Sequence, residues 1–160
     1  MKELPVRKKN RLKNYDYSQT GCYFITICTK DAHELLGEID VSVGANCVRP
    51  RLSEYGSLVE NEISSLSNRY DSIEITNHVV MPNHIHILLV IENRGRTQFA
   101  PTVSRIVKQF KGAITKQIGF SIWQKSFHDH IIRNKSEYCR IWHYIDQNPA
   151  KWMEDCYYIL

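Results

Sequence analysis

Near the middle of the chain stands the segment Val79-Val80-Met81-Pro82-Asn83-His84-Ile85-His86-Ile87-Leu88-Leu89-Val90. The pair Pro82-Asn83 interrupts an apolar run, which predicts two strands, residues 73–81 and 84–91, joined by a tight turn into an antiparallel hairpin. Because successive side chains of a strand point to opposite faces, His84 and His86 are expected side by side on one face. The hydrophobic residues between and after them, Ile85, Ile87 and Leu89, are expected to pack on the other face.

Two further strands and three helices are predicted around this hairpin. The aromatic and β-branched run 21–29 and residues 126–134 are typical of strands. Apolar spacing predicts helices from the N-cap Ser53 to about Tyr70, over 101–118 with Gly119 as the stop, and over 135–147, ended by Asn148-Pro149. Residues 31–50 indicate a short hairpin or loop.

The element order β-α-β-β-α-β-α predicts the fold class. Its first six elements are those of an α+β ferredoxin-like (RRM-like) sandwich, in which an antiparallel sheet carries helices on one face. The last helix is added at the C-terminal end, and it carries a tyrosine, Tyr144.

Length and composition predict one domain over residues 1–160. The chain has 160 residues, 42% of them apolar, and no run long enough to span a membrane or to serve as an export signal, so a cytoplasmic protein is expected. Five cysteines without a CxxC pair favour reduced packing residues. The net charge is +4, and Arg7, Lys8, Lys9, Arg11 and Lys13 make residues 1–20 either a solvated, partly mobile arm or a phosphate contact.

Two residue pairs are candidates for chemistry. Two imidazoles at positions i and i+2 of a strand lie about 6.5–7 Å apart at the backbone and are able to clamp one divalent ion. Histidines satisfied by hydrogen bonds, or exposed on a wet sheet face, explain His84 and His86 equally well. Tyr144 and Asn148 are four apart and therefore share a helix face. A packing tyrosine and a helix-ending asparagine are the corresponding structural alternatives.

Taken together, these pairs resemble a known family. Met81-Pro82-Asn83-His84-Ile85-His86 is similar to the histidine–hydrophobe–histidine motif of the HUH endonuclease superfamily. Tyr144-Ile145-Asp146-Gln147-Asn148-Pro149-Ala150-Lys151 resembles the nucleophile segment of REP-associated tyrosine transposases, which belong to the single-tyrosine branch. Three further segments stand in the order expected of that family: Leu52-Ser53-Glu54-Tyr55-Gly56, Phe110-Lys111 and Phe127-His128-Asp129-His130-Ile131-Ile132-Arg133.

The resemblance implies a metal-dependent single-stranded DNA endonuclease and strand transferase, a transposase acting at hairpin-forming, REP-like sequences in the nucleoid. Carried over residue by residue, Tyr144 is the nucleophile that forms a 5′-phosphotyrosine intermediate, and His84, His86 and Asn148 hold Mg²⁺ or Mn²⁺. Asn is one methylene shorter than the Gln often found at the position of Asn148, and Gln147 reaches the metal only if the helix is distorted. A monomer and a homodimer are both consistent with the sequence.

Cations near this predicted site are candidates for DNA contact. Arg105, Lys108, Lys111 and Lys116 lie on the second helix, and a solvated helix face is the alternative for them. His128 and His130 form a second His-x-His pair, for which structural or DNA-contact roles are expected, and Arg133 follows them. Trp123 and Trp142 are either stacking or packing residues. His143 is not expected to be the general base, since it points about 100° away from Tyr144 around the helix.

Two other functions remain open on the sequence alone. A ferredoxin-like sheet is also a platform for RNA and DNA binding, so a non-catalytic nucleic-acid-binding module is the main alternative. A metal-dependent hydrolase with an activated water, in which Tyr144 merely packs, is the second. Both lack a covalent protein–DNA adduct, which distinguishes them from the transposase.

Overall fold

A computed structural model describes residues 15–17, 19–40, 48–92 and 101–158. The basic run between Arg7 and Lys13, predicted as an arm, lies outside these ranges. In chain order the elements are β1 (Gly21–Cys28), β2 (Gly37–Glu38), β3 (Arg51–Leu52), α1 (Glu54–Arg69), β4 (Ile73–Val80), β5 (His84–Ile91), α2 (Val103–Ile118), β6 (His128–Ile132) and α3 (Lys135–Gln147). Short 3-10 segments occupy Lys30–Ala32 and Pro149–Glu154.

Four antiparallel strands form the main sheet in the spatial order β4-β5-β1-β6. With α1 and α2 as the crossovers, this is the predicted ferredoxin-like α+β arrangement, which is thereby confirmed. The predicted hairpin is the β4–β5 pair, and its register shifts between Ile75 and Asn77, where one residue bulges. The predicted hairpin or loop at 31–50 contains a two-residue ribbon in which β2 pairs with β3.

Helix ends follow local capping chemistry. The side chain of Ser53 accepts a hydrogen bond from the Gly56 N–H at the start of α1, as its N-cap role predicts. α2 begins two residues later than predicted because Thr102 caps it, and it ends at Gly119, whose φ of 93° is left-handed. β6 is shorter than predicted at both ends, partly because Asn134 is the N-cap of α3 rather than a strand residue.

The main hydrophobic core lies between one face of the sheet and helices α1 and α2. Alternate residues of β1 and β5 form the sheet side of this core, and the apolar faces of α1 and α2 form its helix side. The buried members include Tyr23, Ile25, Ile27, Ile85, Ile87, Leu89, Val59, Ile63, Leu66, Ile106, Val107, Phe110 and Ile114. Because Ile85, Ile87 and Leu89 of β5 point into this core, the alternating residues His84 and His86 point to the opposite face of the sheet.

The third helix packs on the opposite face of the sheet. A smaller cluster joins Leu88 and Ile132 of the sheet to Ile141 and Ile145 of α3. Phe24 packs against this cluster from β1. The tyrosine-bearing helix therefore covers the sheet face that carries the histidines.

The prediction that the cysteines are packing residues is correct for two positions and wrong for two, and the fifth, Cys47, lies outside the described residues. Cys28 is buried and Cys22 half-buried, but Cys139 lies on the solvent side of α3 and Cys156 in the exposed segment after it. All four are free thiols in the described part of the chain. No helix of the described residues has the length and apolar character needed to cross a membrane.

Candidate active site

The two histidines lie in the middle of the sheet on the face covered by α3. In the register of β1 and β5, His86 is opposite Thr26 and His84 is opposite Cys28. Their exposed fractions are 1% and 0%, so the wet-surface interpretation of the pair does not apply. Buried imidazoles require polar partners, and each ring has them.

Both rings turn the same nitrogen toward the same point. The Nε2 atoms of His84 and His86 are 3.1 Å apart. Nδ1 of His84 lies 2.8 Å from Oδ1 of Asn83, and Nδ1 of His86 lies 2.9 Å from Oγ1 of Thr26. A polar side chain at Nδ1 therefore orients each ring, as is usual for histidines that bind a metal through Nε2.

Asn83 determines the tautomer of His84. Its Nδ2 donates to the backbone carbonyl of Tyr157 at 2.7 Å, so its Oδ1 is the atom that faces His84. That oxygen accepts only, and Nδ1 of His84 must carry the proton, which leaves the Nε2 lone pair free. The Thr26 hydroxyl both donates and accepts, so it is compatible with either tautomer of His86.

Burial keeps both rings neutral. Desolvation lowers the pKa of His84 to about 4, although the nearby Asp155 carboxylate and the side chain of Asn148 act in the opposite direction. Desolvation, reinforced by His84, holds the pKa of His86 well below its usual value. Neutral imidazole is the form that binds a metal ion, so these histidines are available as ligands at neutral pH.

α3 places Tyr144 beside the histidines. Its hydroxyl oxygen lies 3.5 Å from Nε2 of His86 and 3.5 Å from Oδ2 of Asp155. The ring contacts those of His86 and Phe24, with centroid distances of 5.4 and 6.0 Å, and 42% of the residue remains exposed. Burial, followed by the charge of Asp155, raises the pKa of Tyr144. The phenol is therefore protonated at neutral pH and accessible to a substrate.

Asn148 enters the same site one helical turn later. It is buried, with an exposed fraction of 3%, and its Nδ2 donates to Oδ2 of Asp155. Its Oδ1 is buried and accepts no well-formed hydrogen bond from the described residues, although the side chain interacts with His84 closely enough to raise the pKa of that ring. A buried carbonyl oxygen without a well-formed hydrogen bond is costly, and a bound cation would satisfy it.

Asp155 is the site residue that sequence reasoning missed. It follows the 3-10 segment Pro149–Glu154, and one carboxylate oxygen joins the ligand atoms of His84 and His86 in a group whose members all lie within 4.8 Å of one another. Thr26 and Asn83 were also missed as ring-orienting residues. Thr26 was predictable in principle, because the alternation of β1 places it on the histidine face.

These atoms suit a divalent cation. Two nitrogens that each lie about 2.1 Å from one ion, roughly at right angles, are about 3 Å apart, which matches the observed Nε2–Nε2 distance of 3.1 Å. The remaining donors are the Asp155 carboxylate and the buried amide oxygen of Asn148. Mixed nitrogen and oxygen donors of this kind suit Mn²⁺ and, with added waters, Mg²⁺.

The predicted DNA-contact residues divide between the two faces. Arg105, Lys108 and Lys116 are exposed on α2, the helix that packs on the opposite side of the sheet. Lys111 donates to the backbone carbonyls of Gln124 and Ser126, both at 2.8 Å, and burial lowers its pKa to about 8. It therefore holds the segment that leads into β6.

His130 lies on the side of the sheet that carries the site, and Arg133 follows β6 close to the start of α3. His130 pairs with Phe24 in the β1–β6 register, and its Nε2 lies 2.7 Å from Oε1 of Glu137. Arg133 is exposed, and its backbone N–H donates to the same carboxylate. Of the two tryptophans, Trp123 is buried in the main core and Trp142 is 37% exposed on α3.

Comparison with known sequences finds relatives, although no family model matches the chain. An uncharacterized protein of Haemophilus influenzae is 32% identical over 174 aligned positions, covering 96% of this chain and 93% of that protein. A candidate REP-associated tyrosine transposase of the same species is 24% identical over 152 positions, 88% of this chain and 77% of the relative. The REP-associated tyrosine transposase of Escherichia coli K12 is 36% identical over 78 positions, 49% of this chain and 45% of that protein.

Two solved structures share the fold. One is a REP-associated tyrosine transposase bound to a REP hairpin, with a TM-score of 0.64, 23% identity and coverage of 89% of this chain and 74% of that one. The other is a candidate transposase from Deinococcus radiodurans, with a TM-score of 0.50, 17% identity and coverage of 86% and 96%. At these identities the matches support the α+β architecture itself.

Proposed function

The chain belongs to the family of REP-associated tyrosine transposases, and from that membership we propose that it cuts and rejoins single-stranded DNA through a covalent bond to Tyr144. The family supports an enzymatic, DNA-processing role. The observation that carries the finer proposal is the position of the Tyr144 hydroxyl, 3.5 Å from Nε2 of His86. A nucleophile and a pair of metal-binding nitrogens thus face one point from two different elements.

The proposed reaction is a transesterification. The Tyr144 oxygen forms a bond to the scissile phosphorus while the bond from phosphorus to O3′ breaks, which leaves a 5′-phosphotyrosine and a free 3′-OH. The proton that the phenol loses is balanced by the one that O3′ gains. Because the phosphodiester energy is kept in the new bond, the same steps in reverse join a 3′-OH to the held strand without ATP.

His84, His86 and Asn148 are the proposed ligands of a divalent ion, Mg²⁺ or Mn²⁺. When bound, the ion supplies a Lewis acid that offsets negative charge on the phosphate oxygens. Asn83 holds His84 so that its Nε2 lone pair is available, and Thr26 orients the ring of His86. The α3 helix presents the phenol, whose raised pKa keeps it protonated until substrate and ion are present.

The proposed substrate is hairpin-forming single-stranded DNA. One of the two structural relatives is bound to a REP hairpin, which motivates this choice. His130 lies on the same side of the sheet as the site, and Arg133 is exposed near the start of α3, so we propose these two as the closer of the predicted contacts. The α2 cations Arg105, Lys108 and Lys116 face away from it, so we propose that they meet a distant part of the DNA. We place the activity in the cytoplasm, at the nucleoid.

A covalent-adduct assay tests the proposal. A 3′-labelled single strand that contains a REP-like hairpin is incubated with the protein and Mn²⁺, and label that migrates with denatured protein is measured. We expect the adduct with wild type, none with Tyr144→Phe, and a normal yield with Tyr138→Phe, a tyrosine of the same helix outside the site.

Each alternative has its own outcome in this assay. Adducts that persist in Tyr144→Phe overturn the assignment of the nucleophile. Cleavage that releases a free 5′-phosphate without an adduct supports the hydrolase. Tight binding without metal-dependent cleavage across a set of hairpins supports the non-catalytic module.

A further inference from the structure

We propose that Asp155 is a protein ligand of the metal centre, in addition to the two histidines, and that Asn148 positions its carboxylate. This inference rests on the proposed function, because it concerns the ion of the same site. It assigns a role to a residue outside the Tyr144–Asn148 segment, on the chain that follows α3.

The carboxylate is fixed on both oxygens. Oδ1 accepts from the backbone N–H of Tyr157 at 2.8 Å, while Oδ2 accepts from Nδ2 of Asn148 and lies 3.5 Å from the Tyr144 hydroxyl. The backbone N–H of Asp155 in turn donates to the carbonyl of Trp152 at 3.1 Å. A surface aspartate that moves freely would show none of these contacts, so this carboxylate is held at the site.

Asn148 uses its two ends differently. Its amide N–H group holds the carboxylate, and its buried carbonyl oxygen, which accepts no well-formed hydrogen bond from the described residues and lies beside His84, remains available to an ion. One asparagine therefore orients an anionic ligand and keeps a second oxygen free for the same ion. Asparagine is one methylene shorter than glutamine and so reaches less far toward an ion. With Asp155 as an additional ligand, the ion would still be bound by oxygen donors from the protein.

Charge is the second reason. Two neutral imidazoles and an amide bring no negative charge, whereas hard divalent cations favour anionic oxygen and lose hydration when they enter a buried site. In the part of the chain that the structure describes, Asp155 is the carboxylate that groups with the two histidines. It therefore offsets half of the ion's charge where the other donors offset none.

The segment around Asp155 is built against the histidines. Trp152 is buried, and its ring lies 5.9 Å from that of His84, while the Tyr157 ring lies 4.5 Å from it. Asp155 sits between these two aromatic residues in sequence. This packing keeps the carboxylate beside the histidines, so that its ligand atom and theirs all lie within 4.8 Å of one another.

Metal affinity measured by calorimetry on the full chain tests this inference without depending on DNA cleavage. Mn²⁺ is titrated into wild type, His86→Gln, Asp155→Asn and the matched control Glu154→Gln, an exposed neighbour that loses the same charge. We expect a tenfold or greater loss of affinity in Asp155→Asn, a larger loss in His86→Gln and a change below twofold in Glu154→Gln. Circular dichroism without metal verifies that each variant is folded.

A change of ligand type provides the second test and covers the case in which Asp155→Asn fails to fold. In Asp155→Cys, a thiolate ligand should raise the Cd²⁺ affinity relative to Mn²⁺ more than tenfold over the wild-type ratio, since soft sulfur prefers soft ions. Glu154→Cys should leave that ratio unchanged. If Asp155 had only a structural role, Asp155→Cys would not change the ratio of Cd²⁺ to Mn²⁺ affinity.

The outcomes separate a failure of the metal centre from a failure of the Asp155 assignment. If wild type does not bind Mn²⁺, or if His86→Gln binds it as tightly as wild type, the metal centre of the proposed function fails. If wild type binds, His86→Gln does not, and both Asp155 variants behave like their Glu154 controls, only the inference about Asp155 is overturned.

Discussion

The metal-free protein should lose stability as the pH falls from 7 to 5, because His84 is buried in its neutral form. In the unfolded chain this ring takes up a proton near pH 6.5, whereas in the fold its pKa is lowered to about 4. Between these values the unfolded state binds more protons, so the free energy of unfolding decreases as the pH decreases. The contribution is fully present above pH 6.5 and is lost progressively down to about pH 4.

The size of the effect follows from the shift. A displacement of the pKa from 6.5 to about 4 corresponds to roughly 3 kcal/mol in full, of which about 2 kcal/mol is lost by pH 5. The pKa of His86 is displaced in the same direction, so removing His84 alone leaves part of the acid sensitivity in place. His84→Gln should therefore lose about 2 kcal/mol less than wild type between pH 7 and pH 5.

Urea denaturation followed by circular dichroism, with a chelator present, measures this difference. Wild type, His84→Gln and His33→Gln are compared at pH 7, 6 and 5, and the slopes with urea are checked for equality. His33 is exposed, so its variant should follow wild type. Parallel pH dependences in wild type and His84→Gln, within about 0.5 kcal/mol, would refute the reasoning.

Two further predictions concern stability. A Cβ at Gly56 would lie 1.8 Å from the backbone oxygen of Leu36, so Gly56→Ala should cost about 3 kcal/mol or more. A Cβ at Gly112, a helical position, would meet no atom within 4 Å, so Gly112→Ala should instead stabilise the fold by up to about 1 kcal/mol. Equal changes of the melting temperature in the two variants would contradict this prediction. Ser53→Ala removes the N-cap of α1 and should cost about 1 kcal/mol in urea denaturation, with Ser53→Thr close to wild type.

Most of the fold is predictable from the sequence because periodicity and caps act locally. The alternation of β5 alone places His84 and His86 on one face, and the four-residue spacing places Tyr144 and Asn148 on one face of α3. The histidine pair and the Tyr144–Asn148 pair meet only because α3 packs on the sheet. That packing depends on the hydrophobic cluster between α3 and the sheet, which no local sequence pattern predicts.

Asp155 could not be predicted for a specific reason. It lies after the 3-10 segment, where neither a period of two nor one of 3.6 assigns a face to a side chain. Its position depends on where Trp152 packs and on the amide of Asn148. Lys111 is the opposite case: its charge and helical position predict a surface residue, but the side chain folds back onto two carbonyls ahead of β6.

The two faces of the sheet divide stability from chemistry. The face toward α1 and α2 carries the large core, whereas α3 buries the smaller cluster around Ile141 and Ile145. Its polar contacts to the sheet are exposed ones, from Asn77 Nδ2 to the carbonyl of Trp142 and to Glu137 from His130 and from the backbone N–H of Arg133. The two buried isoleucines contribute about 3–6 kcal/mol, and the exposed polar contacts add less because water competes for them. The phenol of Tyr144 is thus carried by the layer with the smaller buried cluster and the histidines by a central strand of the main sheet. A nucleophile that must meet phosphate, remain joined to it and later release it is better placed on the layer that opens at lower free energy.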